Sequence, residues 1–129
     1  MTKREQIELV ITAFVKGGDN SDVNLLKAVL HDDFRIMSSG FMGMPGTAII
    51  NKKNYISNIE NGIFGGFPRK MRIERIDDFG TIANVALWLE SSENEFVSFN
   101  SLVLDVDNRW KIISNLAVVE ATKKEQVHC

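Results

Sequence analysis

The sequence predicts an α+β domain in which N-terminal helices cover one face of a curved antiparallel sheet and leave an apolar pocket between the two layers. Three observations predict it. Apolar residues recur at helical spacing only up to about residue 60, strand-like runs take over from about Lys70, and short turn clusters separate those runs.

Thr2 followed by Glu5 forms a capping-box pattern, in which a hydroxyl and a carboxylate satisfy backbone N–H groups left unpaired at a helix start. Ile7, Val10, Ile11 and Phe14 then fall on one helical face, and Gly17-Gly18 is expected to end this first helix near residue 16. Asn20 and Ser21 are suitable caps for a second helix, whose stripe is Val23, Leu26, Val29 and Leu30 and whose end is expected at His31-Asp32-Asp33. A short strand over 34–37 leads into a Gly- and Pro-punctuated loop or bent ribbon, after which Asn51 caps a third helix carrying Tyr55, Ile56 and Ile59 and stopped by Gly62.

Strands are expected at about 70–77, 81–90, 95–106 and 109–119, and connections this short imply antiparallel hairpins. If Glu90 pairs with Glu95 and Val106 with Arg109, one face carries Val85, Leu87, Leu89, Phe96, Ser98, Asn100, Leu102, Ile113, Asn115 and Ala117. The other carries Trp88, Val97, Phe99, Val103, Trp110, Ile112 and Leu116. An apolar second face of this size needs a cover, and a homodimer formed through the sheet supplies one.

With 129 residues, 44% hydrophobic and 25% charged, the chain suits one ordinary domain, expected over 1–125 with a tail at 126–129. The net charge of −2 is spread without a basic stripe, so nucleic acid is not an expected partner. No apolar run is long enough to span a bilayer, and no signal-peptide pattern opens the chain. Cys129 is the sole cysteine, which fits a reducing, cytoplasmic setting and argues against a thiolate metal site. Neither a metal nor a cofactor is expected.

Three segments carry a resemblance: Phe14-Val-Lys-Gly-Gly-Asp19, Leu25-Leu-Lys-Ala-Val-Leu-His-Asp-Asp-Phe34 and Asp107-Asn-Arg-Trp-Lys-Ile-Ile113. With this order of elements the chain resembles the nuclear transport factor 2-like superfamily, especially its lumazine-binding and polyketide cyclase SnoaL-like branches. The resemblance implies a cone-shaped roll, with a pocket at its open end and frequent dimerisation through the sheet. It also implies where the ketosteroid isomerases of that superfamily would place their chemistry. The carboxylate base falls at Ser38, the tyrosine at Ile11 and the remaining acid at Asn100, so only Asn100 retains a hydrogen-bonding function of the kind required. The paired histidines of the dehydratases have no counterpart, since His31 and His128 are the only two in the chain.

Asn100 and Asn115 are expected opposite each other on an apolar face, where they either satisfy one another or contact a ligand. His31-Asp32-Asp33 reads as a helix-ending turn or, should His31 or Asp33 point inward, as the source of a general base. Met37, Phe41, Met42, Met44, Tyr55, Phe64 and Phe67 gather between the second helix and the sheet, as core packing or as an adaptable wall for a ligand. Glycines 62, 65 and 66 lack the strand and the Gly-Lys pair of a phosphate loop and read as a connector. The residues expected to touch a ligand are Phe14, Met37, Tyr55, Asn100 and Asn115. The expected function is binding of an apolar or aromatic metabolite by a homodimer. The alternatives are an isomerase, dehydratase or cyclase acting on a polyketide-like or steroid-like substrate, and a protein association module.

Overall fold

In the structure, a computed structural model describing residues 1–121 apart from the side chain of Met42, helix α1 spans Lys3–Asp19. The expected tail at 126–129, with His128 and Cys129, lies outside the described residues, as does the 1–125 boundary. Thr2 and Glu5 close the capping box in both directions, each bond 3.2 Å long. The helix does not stop at Gly17-Gly18. A side chain at Gly17 would collide with Leu26, whose nearest atom is 2.8 Å from the position of a Cβ, so glycine lets the second helix pack close to the first.

Helix α2 is Val23–Val29, capped by Asp22, whose carboxylate accepts from the Leu25 N–H at 3.1 Å; the expected caps Asn20 and Ser21 lie just upstream. His31-Asp32-Asp33 is not a turn after a helix. It lies inside strand β1, Leu30–Ser39, in a stretch whose register against its neighbour shifts between Leu30 and Arg35. A single helical turn over Phe41–Gly43, within the expected loop or bent ribbon, leads to strand β2, Thr47–Asn51, which the sequence does not predict. Helix α3, Lys52–Glu60, begins at the expected cap Asn51.

The remaining strands follow the sequence closely: β3 Lys70–Asp78, β4 Ile82–Glu90, β5 Asn94–Leu104 and β6 Trp110–Ala121. The sheet order is β2-β1-β6-β5-β4-β3, antiparallel throughout except for the β1–β6 pair, so three helices pack on a six-stranded mixed sheet.

Pairing of Glu90 with Glu95, and of Asn100 with Asn115, is as the turns predict. A bulge between Ser101 and Leu102 then corrects the rest of β6. Leu102 pairs with Ile112 rather than Ile113, and Trp110 and Ile112 turn into the core, 4% and 0% exposed, rather than out with Phe99. Burying the indole adds one of the chain's two tryptophans to the helix-facing side of the sheet.

Candidate functional site

Two rungs of the inner sheet face form the candidate site. Along the first, Ile36 neighbours Asn115, Asn115 neighbours Asn100 and Asn100 neighbours Val85; along the second, the order is Ser38, Ala117, Ser98 and Leu87. Four small polar residues thus interrupt an apolar surface, and Ser38, Ser98, Asn100 and Asn115 are all buried. The Asn100 amide donates to the Ser98 hydroxyl at 3.2 Å and, at 3.5 Å, to the Val85 carbonyl, while the Asn115 amide donates to Asn100 Oδ1 at 2.6 Å. The expected pairing of the two asparagines is present, and Ser98 completes it, a residue whose place on this face follows from strand parity alone.

Not every polar atom here finds a partner. Among the described residues, the Ser38 hydroxyl and the Asn115 Oδ1 make no side-chain hydrogen bond. No fully enclosed side-chain N or O among the described residues is left unpaired, so both atoms retain a small opening to space that water or a ligand can reach.

Aromatic rings fill the helix side of the interior where an open pocket is expected. Phe34 of β1, Phe14 of α1 and Tyr55 of α3 contact one another with centroids 5.9 to 6.1 Å apart. Tyr55 continues to Phe64 at 6.2 Å, and Phe64 to Phe41 at 5.9 Å. Phe41 follows the Gly40 reversal after β1 and is three residues beyond Ser38, so the Phe41–Phe64 pair and the Ser38 rung belong to the same end of the sheet.

The loop bearing Phe64 is held against the end of α1. Gly66 donates to the Gly18 carbonyl at 3.0 Å, and Arg69 grips Asp19 through its backbone N–H at 3.1 Å and its Nε at 2.5 Å, while also donating to the Val15 carbonyl at 3.2 Å. The Arg69 guanidinium lies over the Phe96 ring at 5.3 Å. Gly62, Gly65 and Gly66, expected as a connector, all have positive φ.

Burial raises the Tyr55 hydroxyl to about 12, opposed in part by Arg69, so it is a neutral donor and not a base near neutral pH. The unfolded chain ionises Tyr55 near 10, the folded one near 12, so the unfolded form loses its proton first. Stability is therefore complete below pH 10 and falls as pH rises through 12, by about 2 to 3 kcal/mol. Denaturation curves of the native chain and Tyr55→Phe between pH 9 and 12 check this, the variant being expected to lack that loss.

Other expected site residues lie elsewhere. Met37 pairs with Leu116 and Ile49 on the outer face of the sheet, away from the interior, because the β1 alternation that turns Phe34, Ile36 and Ser38 inward turns Met37 out. Asp33 is solvated, with its side chain 80% exposed, and its backbone N–H donates to His31 Nδ1 at 3.0 Å. His31 faces Asp105 at 4.0 Å, beside the Lys111 that bridges Asp105 and Asp107 at 3.0 and 2.9 Å. Neither residue reaches the inner rungs, so a base at either position cannot serve a ligand there. Met44 and Phe67 are exposed, and the Met42 side chain lies outside the described residues. Among the described residues, no group of three or more His, Cys, Asp or Glu is arranged to hold a metal, and no helix is long and apolar enough to cross a membrane.

A family model described as "Putative lumazine-binding" matches residues 2–116. The chain belongs to that family. No curated protein matches it. The fold is similar to that of solved nuclear transport factor 2-like proteins. One is an NTF2-like protein from Cytophaga hutchinsonii, 18% identical with a TM-score of 0.80 over 93% of this chain and 100% of that one. Another, from Silicibacter pomeroyi and described as of unknown function, is 15% identical with a TM-score of 0.79 over 93% and 100%. A ketosteroid isomerase-like protein from Erwinia carotovora atroseptica is 14% identical with a TM-score of 0.73 over 96% and 100%. Identities this low carry the cone-shaped α+β fold and not an activity.

Proposed function

We propose that this protein binds a small apolar or aromatic metabolite at the end of the cone where Ser38 and Asn115 meet the aromatic cluster. The observation that carries the reading is a pair of nearly buried polar atoms on an otherwise apolar face, the Ser38 hydroxyl and Asn115 Oδ1, that make no hydrogen bond among the described residues and stay open to a ligand. Membership of a family described as lumazine-binding supports a planar heteroaromatic ligand. Phe14 and Tyr55 give the ring contacts and Asn100 holds Asn115 in place. Phe64 must swing away from Phe41 to admit the ligand, a motion available to a loop built on Gly62, Gly65 and Gly66.

Binding is favoured over the isomerase, dehydratase or cyclase alternative by the composition of the interior. Among the described residues, those buried include no Asp, Glu, His, Lys or Arg, and the one titratable group there, Tyr55, stays protonated. Lumazine and a panel of flat heteroaromatic compounds, tested by thermal shift and native mass spectrometry, form the experiment. Saturable binding that Ser38→Leu weakens by about tenfold is expected. If no compound raises the melting temperature and the purified protein carries no bound molecule, the reading is wrong.

The protein acts as a homodimer in this reading. Phe99 and Leu116 pair at 57% and 48% exposure beside Met37 and Ile49, and Val97 and Val118 form a neighbouring apolar rung, more apolar surface than an isolated sheet leaves in water. Phe99→Lys is expected to convert a dimer to a monomer in sedimentation without changing the far-ultraviolet spectrum. A native chain that sediments as a monomer at high concentration would remove the dimer, and leave the face to the association-module alternative.

A further inference from the structure

The polarity of the buried hydrogen-bond network is set by the backbone, and it determines the chemistry of the ligand. The Val85 carbonyl can only accept, and the Asn100 side chain turns its NH2 toward it at 3.5 Å and toward the Ser98 hydroxyl at 3.2 Å. Its Oδ1 then faces Asn115 and can only accept, so Asn115 must present its own NH2, which it does at 2.6 Å. With Asn100 so oriented, the orientation of Asn115 follows. The network therefore ends in the Asn115 Oδ1, an acceptor on a residue 6% exposed, with no partner among the described residues. One rung further along the same face is the Ser38 hydroxyl, equally buried and equally unpartnered, able to donate or accept.

Resting on the binding reading above, we infer that the site selects an uncharged planar ring carrying an N–H donor, with an acceptor such as a ring carbonyl near it. The N–H completes Asn115 Oδ1, and the carbonyl accepts from Ser38. The same polarity disfavours anions. An enolate or carboxylate brought to this end of the network meets the Asn115 oxygen; no Lys, Arg or His is among the buried described residues, and the mostly enclosed Arg69 over Phe96 is already paired with Asp19.

The test uses matched pairs: lumazine with 1,3-dimethyllumazine, and 2-quinolinone with 1-methyl-2-quinolinone, plus quinoline-2-carboxylate as an anionic ring. Affinities are measured on the native full chain by calorimetry and by the shift of the Asn115 side-chain amide in nuclear magnetic resonance. The N–H member of each pair is expected to bind about tenfold or more tightly than its N-methyl counterpart, and the carboxylate weakest of all. Asn115→Leu is expected to abolish the preference within each pair. Should that variant fail to fold, the pairwise comparison on the native chain decides alone. N-methyl rings that bind as well as their parents, or a carboxylate that binds best, overturn the inference and leave the binding site standing. Failure of every ring to bind overturns the site itself.

Discussion

Gly65→Ala is expected to lower the free energy of unfolding by about 3 kcal/mol, whereas Gly62→Ala should cost only about 1 kcal/mol. Both glycines have positive φ, +73° at Gly65 and +71° at Gly62, so the backbone strain of adding a side chain is nearly the same at each. The surroundings differ. Nothing lies within 4 Å of a Cβ built on Gly62, while one built on Gly65 would overlap the Gly18 carbonyl oxygen. That oxygen cannot retreat cheaply, because it accepts from the Gly66 N–H at 3.0 Å and belongs to the last turn of α1. A methyl group at 65 must therefore lift the loop from the helix, loosening Phe64 from Tyr55 and Phe41 as it does so. Urea denaturation of the two variants measures the difference, and equal losses would show that the loop does not depend on close contact with α1.

Signals confined to a few neighbouring residues were legible in the sequence. The capping box at Thr2 and Glu5, the cap at Asn51, and four strands separated by short turns all appear in the structure within a few residues of the expected positions. The Asn100–Asn115 pair was legible too, because it lies on the side of the bulge nearest the end of β6, where the pairing agrees with the turn-based register. Beyond the bulge the register count fails, and Trp110 and Ile112 exchange faces with Ile113; one extra residue in a strand carries no distinctive composition. Strand β2 was hidden for another reason. Its five residues follow Gly46 directly and it is an edge strand, so it shows no buried alternation. The start of β1 was masked by His31-Asp32-Asp33, whose polar run imitates a turn although Leu30 and Phe34 on either side are buried. The site itself depends on long-range pairing. Ser38 joins the rung of Ala117 and Ser98, next to that of Asn115, only because β1 runs parallel to β6, a relation no local pattern records.

The Asp19–Arg69 pair is another such hidden contact, joining residues 50 apart in sequence, and its disruption has the second large expected effect. Asp19→Ala is expected to destabilise the fold by about 3 kcal/mol, and Arg69→Met by about half as much. The asymmetry follows from what each substitution leaves behind. Both side chains are mostly removed from solvent, 12% exposed at Asp19 and 19% at Arg69. Without Asp19, the guanidinium keeps only the Val15 carbonyl and the face of Phe96, and its charge and backbone N–H lose their carboxylate. Without the guanidinium, the carboxylate still accepts the Arg69 backbone N–H at 3.1 Å and can turn toward water at the end of α1. Methionine at 69 also keeps the apolar stem packed against Phe96. Combining the two substitutions should recover about 1 to 2 kcal/mol relative to their sum, since neither charge is then left alone. A double-mutant cycle by chemical denaturation measures that coupling, and strict additivity would show that the pair is a surface contact with no part in closing the Phe64 loop over the cone.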